Sequence, residues 1–591
     1  MVATVRPTSD MPPSSTLPVL FLVPARGDSR RVPGKNLRLV AGIPLVARAV
    51  RAARTTAALV PGGPHAIVCS TDDPTIAASA VAWHAEVPFL RPAVLAGDAA
   101  SSIDVVLHAL DLLAASARRF RAVVLLQPTS PLTDPADIAA AIARFDETGA
   151  PVAAVTPAHP IARHRAMDET GILHGAQPAD ARTVLSGAFY VIAPDELHSA
   201  RRFVIEGRTR GVVVPPERSV DVDEEMDLVV ADALARARPV RPFPFADRLV
   251  GAGSCLVIAE AGVNHNGDPA LAHRLVDAAA DAGADVVKFQ TFDPARLAAA
   301  GAPTAAYQRA AGEAAADQRE MLARLALPPE AWAALQAHAR DRGLVFLSSP
   351  FDEASADLLE RLDVPAFKVG SGELTNTGFL AHLARKGRPL LVSTGMADMV
   401  EVADALETIA AAGGPPVALF HCVSAYPARP VDANLRSIGT LRAAFGVPAG
   451  WSDHTPGIEL PIAAVALGAD LLEKHLTLDR TLPGPDHAAS LEPGELAAMV
   501  AAVRAVEAAR GSGEKVPVAA ELEVASVARR SLHWAVDREA GAIVSATDVV
   551  ALRPGTGIPP RELTSVIGRR LARPVATGHA IQRDDLSDDP T

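Results

Sequence analysis

CLVIAE (255–260), DVVKFQ (285–290), LVFLSS (344–349), AFKVGS (366–371), PLLVST (389–394), VALFHC (417–422), PAGWSD (448–453) and DLLEKH (470–475) are eight short, mainly apolar runs, each closing on polar or ionisable residues. Helix-like stretches follow them, with apolar residues at three- and four-residue spacing, as in ALAHRLVDAAADAG (270–283). A run that is apolar from end to end suits a strand covered on both faces, and strands alternating with helices form parallel sheets. Eight such units in about 250 residues predict a (β/α)8 TIM barrel.

Barrel chemistry sits at the C-terminal ends of the strands. There the sequence places Glu260 and then Asn264-His265-Asn266, Lys288 and Gln290, Ser348 and Ser349, and Lys368 with Ser371 and Glu373. Ser393 and Thr394, His421 and Tyr426, Asp453-His454 and Glu473-Lys474-His475 complete the ring. Lysines, hydroxyls and Gly-flanked backbone amides suit phosphate and carboxylate. Two histidines on adjacent strand ends suit a divalent metal, and nearby carboxylates suit proton transfer. This inventory predicts a metal-assisted reaction of a phosphorylated acid.

Upstream, VLFLV (19–23), AIVCS (66–70), AVVLLQ (122–127), VAAVT (152–156) and FYVIA (189–193) alternate with Ala-rich helical stretches. They predict a second, mainly parallel α/β sheet. The chain thus divides into a Pro/Ser/Thr-rich leader (1–16), a Rossmann-like α/β domain (17–235) and a Pro- and Arg-rich linker (236–249). The barrel (250–510), a Gly-containing break (511–519) and a small β-rich, turn-rich module (520–591) follow.

Composition narrows the class. Apolar residues are 49% and charged residues 21% of 591, a globular balance. The net charge of −12, without a long Lys/Arg run, argues against nucleic acid and anionic membranes as partners. The three cysteines, Cys69, Cys255 and Cys422, are far apart in apolar runs and read as reduced thiols of a cytoplasmic protein. The first apolar run is broken by Pro18 and closed by Pro24 and Arg26, unlike a signal peptide. No apolar run approaches the ~20 residues of a membrane span.

In the first domain the strand VLFLV leads into PARGDSRRVPGKN (24–36), a basic Gly/Pro loop suited to a triphosphate. Asp221 and Asp223 are spaced to face one side of a strand, a spacing that suits magnesium beside such a triphosphate.

The barrel half resembles the sialic acid synthase family. IAEAGVNHNG (258–267), VVKFQTF (286–292), SSPFD (348–352), KVGSGE (368–373), STGM (393–396), WSDHT (451–455), EKHLTLD (473–479) and GPDH (484–487) occur in that family's order. LRPGTGI (552–558) resembles its C-terminal antifreeze-like (SAF) domain. The resemblance implies condensation of phosphoenolpyruvate (PEP) with an N-acetylmannosamine-like aldose to a nine-carbon 2-keto acid. It implies that His454 and His475 hold a divalent metal, usually Mn2+, and that Lys288, Gln290, Lys368, Ser371 and Ser393 hold PEP. Glu260, Tyr426 and Asp486 match positions near the aldose. Glu373 and Glu473 are candidate acid/base or metal-shell carboxylates, with the roles undivided between them, and the two lysines join the catalytic set. Arg553 matches an arginine that reaches a neighbouring subunit's site, which implies a domain-swapped homodimer or higher oligomer.

The first half resembles the CMP-sialic acid synthetase family through its basic loop, STDD (70–73), LRPAVLAGD (90–98), LLQPTSPL (125–132) and SVDVDEEMDL (219–228). CTP contacts are implied for Arg26, Arg30, Lys35 and Asn36. Arg91, Ser102, Gln127 and Thr129 are implied to line the nucleotide and sugar clefts, and Asp221 and Asp223 to hold Mg2+. The sequence departs from that pattern between His159 and Tyr190, where the acidic-sugar segment is shortened to little more than Arg182. It also carries Ser186-Gly187 for an Asn-Gly step, Thr133 where many members have Arg, and Ser424 where some synthases carry Asn. Both halves point to one pathway, in which the keto acid is made and then activated as its CMP ester. The alternatives are a synthase whose first domain is an assembly scaffold, and a heptulosonate- or octulosonate-type PEP-condensing barrel. The SDHT and EKH motifs and the C-terminal module argue against the latter.

Overall fold

The computed structural model describes residues 17–97, 100–157, 165–167, 173–175, 183–305, 308–309, 315 and 317–587. The leader 1–16 and most of the acidic-sugar segment, Arg182 included, lie outside them. The chain divides into two compact units, residues 1–509 and 510–591.

The N-terminal sheet contains β1 (Val19–Pro24), β2 (Ala66–Ser70), β3 (Ala122–Leu126), β4 (Val152–Pro157), β5 (Thr183–Ile192) and β6 (Arg210–Val213). Their order is β6-β4-β5-β3-β1-β2, parallel except for β5, which opposes both neighbours. The five expected strands form. The unexpected β6 is a short, largely exposed edge strand built on the Val212–Val214 run. Asp73, Ser101 and Asp134 cap the helices that follow strand ends, each accepting from a first-turn backbone N–H. The Ser219–Asp223 segment differs from expectation. It pairs in no ladder; Val222, buried, donates its N–H to Thr129 O (2.7 Å) and accepts at its carbonyl from Lys35 Nζ (2.8 Å).

The barrel strands are β7 (Leu256–Gly262), β8 (Val286–Thr291), β9 (Val345–Pro350), β10 (Phe367–Val369), β11 (Leu390–Ser393), β12 (Val417–Cys422), β13 (Ala449–Asp453) and β14 (Leu471–His475). Parallel ladders run β9-β8-β7-β14-β13-β12-β11-β10. The ring closes where β9 and β10 pack side by side without a ladder. Asp268, Asp293, Asp352, Asn376 and Asp398 cap the helices after successive strands, so the βα-loops are short and tightly started. Each such cap contributes about 1 kcal/mol.

The stretch expected to be a linker does more than connect. Phe243–Phe245 and Arg248–Val250 form an antiparallel hairpin, and Phe243, Phe245 and Val250 are buried among Leu256, Ile258, Val286, Leu391 and Leu471. The hairpin plugs the N-terminal end of the barrel. Its alternating FPF pattern is masked in the sequence by the surrounding Pro and Arg.

The N-terminal domain docks on the barrel through α1 (Leu45–Leu59), which faces α2 (Met399–Ala411) and α3 (Arg436–Phe445). Arg54 pairs with Asp404 (3.0 Å) and Glu407 (2.8 Å), and Ala403 and Ala444 complete the N-terminal apolar core. Gly42, at φ +77°, lets the chain pass Thr440, whose methyl would lie 2.5 Å from an added Cβ.

The second unit has a helix, Ala519–Ala528, and a ladder of Ser531–Trp534 with Val549–Leu552. Trp534, Leu532, Ile558, Val566 and Ile581 form its core. Among its described residues only these two strands make a ladder, so it is richer in turns than in strands. No helix among the described residues is long and apolar enough to cross a membrane.

Candidate active sites

At the barrel mouth, strand alternation turns Glu260, Lys288, Lys368 and Glu473 inward, where they form a buried charge chain. Lys288 Nζ lies 2.6 Å from Glu260 and 3.7 Å from Glu473. Lys368 Nζ donates to the other Glu473 oxygen (3.2 Å) and to Ser393 Oγ (2.8 Å). Gln290 Nε2 donates to Glu260 (3.1 Å), Lys288 to Ser349 Oγ (3.1 Å) and Ser452 Oγ to Glu473 (2.8 Å).

The two carboxylates are driven apart in acidity. Burial pushes the Glu260 carboxyl up, Lys288 opposes it and Glu473 adds to it, leaving it at about 7. Burial would raise Glu473 as well, but Lys288, Lys368 and the Ser452 hydroxyl outweigh it and hold that group low. Glu473 therefore stays ionised as the hub between the lysines, while Glu260 exchanges its proton near neutrality. The Lys368 ammonium lies 5.1 Å from the Phe420 ring centre, and burial lowers its pKa from the ordinary lysine range.

Beside this chain stand the two histidines, with ring centres 5.5 Å apart. His454 Nδ1 donates to the Val423 carbonyl (2.7 Å), which leaves Nε2 with a free lone pair. His475 is buried with Nδ1 unbonded, 3.9 Å from Asp486. Burial pushes both imidazoles below their ordinary range, so both stay neutral. Tyr426 packs on His454 at 4.1 Å, and burial raises Asp486 to about 6. Among the described residues no three His, Cys, Asp or Glu side chains converge as a complete metal cage. Two neutral imidazoles, one with an orphaned buried nitrogen, fit a divalent cation whose other ligands are water or substrate.

On the opposite side, Gly395 N donates to Ser371 Oγ (3.1 Å), and Ser371 also meets Cys422 Sγ (3.2 Å). A Cβ at Gly395 would come within 2.3 Å of Ser424 Oγ and 2.8 Å of Ser371 Oγ. Only glycine lets the backbone approach these hydroxyls so closely. Glu373 is not drawn into the charge chain; its carboxylate accepts from Asn376 Nδ2 (2.9 Å) at a helix start. Arg553 is exposed in the second unit.

Three contributors lie inside the quoted motifs but are given no role there. Ser349 and Ser452 orient the ionic chain. Lys474, fully buried, pairs with Asp453 at 2.6 Å and also donates to the Thr455 carbonyl. The available signal for Lys474 is alternation: with Glu473 and His475 turned inward, the lysine between them must face the helices.

In the N-terminal domain, Arg26, Lys35, Asn36, Arg91, Ser102, Gln127 and Thr129 line one cleft of about 290 Å³. Arg30, exposed on the same loop, is not part of its wall. The loop is held by Asn36 donating to the Arg26 carbonyl (2.8 Å) and by Gly27 N donating to Asp72 (3.1 Å). Arg91 is almost wholly buried against Asp72 (3.3 Å). Asp223 faces Lys35 (3.4 Å) and Arg31 (3.3 Å), and burial raises Asp221, whose carboxylate is hydrogen-bonded by Thr129. The basic loop and acidic pair are thereby adjacent, although no ladder holds the acidic pair.

Comparison with known proteins matches three regions of the chain: residues 20–176 to the cytidylyltransferase family, 275–515 to the NeuB family and 529–587 to the SAF domain. The N,N'-diacetyllegionaminic acid synthase of Legionella pneumophila is 44% identical over 329 residues, covering 55% of this chain and 92% of that protein. The human N-acetylneuraminate-9-phosphate synthase is 36% identical over 330 residues, covering 54% of this chain and 89% of that protein. Among solved structures, the N-acetylneuraminic acid synthetase of Leptospira borgpetersenii in complex with citrate is 33% identical. It covers 48% of this chain and 95% of that one, with a TM-score of 0.43.

Proposed function

Because this chain belongs to the NeuB family and carries a cytidylyltransferase domain ahead of its synthase barrel and SAF domain, we propose that it makes a nonulosonic acid and then activates it. The observation that carries this reading is the buried Glu260–Lys288–Glu473–Lys368 chain beside the neutral His454–His475 pair.

In the barrel, Lys288 and Lys368 take the phosphate and carboxylate of PEP, with Gln290, Ser371 and Ser393 fixing its orientation. Tyr426 and Asp486 receive an open-chain, N-acetylmannosamine-like aldose. His454 and His475 would hold Mn2+ or a similar cation, which would supply Lewis-acid polarisation of the aldehyde oxygen. The methylene carbon of PEP forms a bond to the aldehyde carbon, whose oxygen becomes a hydroxyl. Water adds to the cationic C2, the C2–O bond to phosphate breaks, and a nine-carbon 2-keto acid and inorganic phosphate result. Glu260 is placed to move a proton near neutral pH, and the lysines stabilise the departing phosphate.

In the first domain, Arg26, Arg30, Lys35 and Asn36 hold the CTP triphosphate, and Arg91, Ser102, Gln127 and Thr129 hold the rest of the nucleotide. Asp221 and Asp223 would hold Mg2+, which would neutralise phosphate charge. The acid's hydroxyl oxygen attacks the α-phosphorus, and pyrophosphate leaves. The active assembly is a domain-swapped homodimer or higher homo-oligomer in which Arg553 serves a neighbouring subunit's barrel.

The test is a product assay with the full chain, Mn2+, Mg2+, PEP, CTP and a panel of aldoses. Phosphate, pyrophosphate and a CMP-linked nine-carbon acid with one aldose are expected. Phosphate without pyrophosphate would refute the second activity, and no phosphate with any aldose would refute the first.

A further inference from the structure

A separate cavity of about 940 Å³ lies between the N-terminal domain and the barrel. Five arginines line it, Arg48, Arg51, Arg218, Arg238 and Arg241, against a single acidic wall residue, Glu217. Their other partners account for only part of that charge. Arg218 and Arg238 meet Asp134 and Asp137 behind the wall, yet Arg218 Nε is buried and unbonded. Arg48 donates to the carbonyls of Pro131 (2.7 Å) and Val40 (3.0 Å). Arg51 donates to the Ala444 carbonyl (2.7 Å) and lies 4.7 Å from the centre of the Phe445 ring. Among the described residues neither they nor Arg241 form an ion pair. Leu132, Val240 and Pro242 give the cavity apolar walls.

From this geometry we infer that the cavity binds a phosphate-bearing anion of nucleotide size, at a site distinct from both reaction centres. Arg48 and Arg51 are half-buried and bonded to neutral carbonyls, with Asp232 and Glu407 acting on them only from outside ion-pair distance, and phosphate satisfies such guanidiniums bidentately. The volume falls within the range of small-molecule sites, and the apolar walls suit a sugar or base. Burial, with repulsion from Arg51 and Arg238, lowers Arg48 against the pull of Asp232; burial lowers Arg51 against the pull of Glu407, with repulsion from Arg238 and Arg54 adding to it, each to about 10. A bound anion relieves that repulsion. Thr129 lines the nucleotide cleft and Leu132 this cavity, so one short segment touches both.

Hydrogen exchange of the full chain, with inorganic phosphate, pyrophosphate or CTP added at millimolar concentration, tests the inference. Slower exchange is expected in peptides covering 231–245 and 436–446, apart from any change in 26–36. In Arg241→Gln, an exposed residue, and in Arg51→Gln, the concentration needed should rise about ten-fold or more, as loss of a charge-assisted contact predicts. A response to phosphate or pyrophosphate identifies the phosphoryl group as sufficient; a response to CTP alone shows that the nucleoside is required. No slowing by any of the three, or slowing unchanged in both variants, would overturn it.

Discussion

Lys474 and Asp453 form an ion pair of 2.6 Å with both side chains fully buried, one residue before His475 and one before His454 on adjacent strands. Asp453 also accepts from Thr455 N (2.8 Å) and Oγ1 (2.7 Å), so the pair fastens the two loops that present the imidazoles.

Removing one partner should therefore be costly. Lys474→Met leaves a buried carboxylate uncompensated and is expected to lower stability by about 3–5 kcal/mol. The double variant Asp453→Leu/Lys474→Met should recover much of that loss while remaining impaired in Mn2+ affinity. Denaturant unfolding and metal titration of both variants check this.

Glu473 is the ionised hub between two lysines. Glu473→Gln is expected to reduce kcat for phosphate release by about 10²-fold or more, the scale of a lost proton-transfer or electrostatic group. Steady-state kinetics at saturating PEP measure it; a change confined to KM would contradict the assignment.

Glu260 sets a pH dependence. Its carboxyl, held up at about 7 by burial against the pull of Lys288, is neutral below that pH and charged above it. Once charged, it cancels the Lys288 ammonium 2.6 Å away, so KM for PEP should rise as pH passes above about 7. In Glu260→Gln the dependence should flatten, which a KM–pH series on both proteins reveals.

Lys35 and Asp223 tie the basic loop to the acidic segment at 3.4 Å. Lys35→Ala is expected to reduce pyrophosphate formation by about 10²-fold, the loss seen when one transition-state donor is removed. Phosphate release from PEP should continue. Parallel assays of the two products on one preparation decide it.

In the second unit, Asp548 accepts from Ser545 N (2.8 Å), Ser545 Oγ (2.8 Å) and Arg538 Nε (3.0 Å). Although burial opposes it, these partners hold its carboxyl below the ordinary 3.8. Its contribution is present above the ordinary value and is lost as pH falls through the lower folded value. Asp548→Ala should destabilise this unit by about 1–3 kcal/mol at pH 7, with the gap from the parent closing in strong acid. Thermal unfolding of the full chain at several pH values tests both statements.

The eight barrel strands were legible because a parallel barrel strand is covered on both faces, so its apolar run is continuous and its polar residues gather at one end. The same regularity located Glu260, Lys288, Lys368, Glu473 and the histidine pair. The 243–250 hairpin was hidden because Pro244 and neighbouring Pro242 read as a linker; only the open barrel end explains why Phe243 and Phe245 are apolar. Asp221 and Asp223 read as strand residues by alternation, yet the segment joins no ladder and is held by bonds from Val222 to Thr129 and from Lys35 to Val222.

By itself the sequence determined the alternation of strands and helices, the caps that start the helices and the residue types at each strand end, since these depend on neighbours a few positions away. Only the tertiary structure decided which charges meet. The inward Glu473 bridges lysines from two other strands, Glu373 turns away to Asn376, and arginines from three distant segments gather around one cavity. The physical reason is that acidity and charge pairing depend on burial and on distances between groups far apart in the chain, which no local pattern encodes.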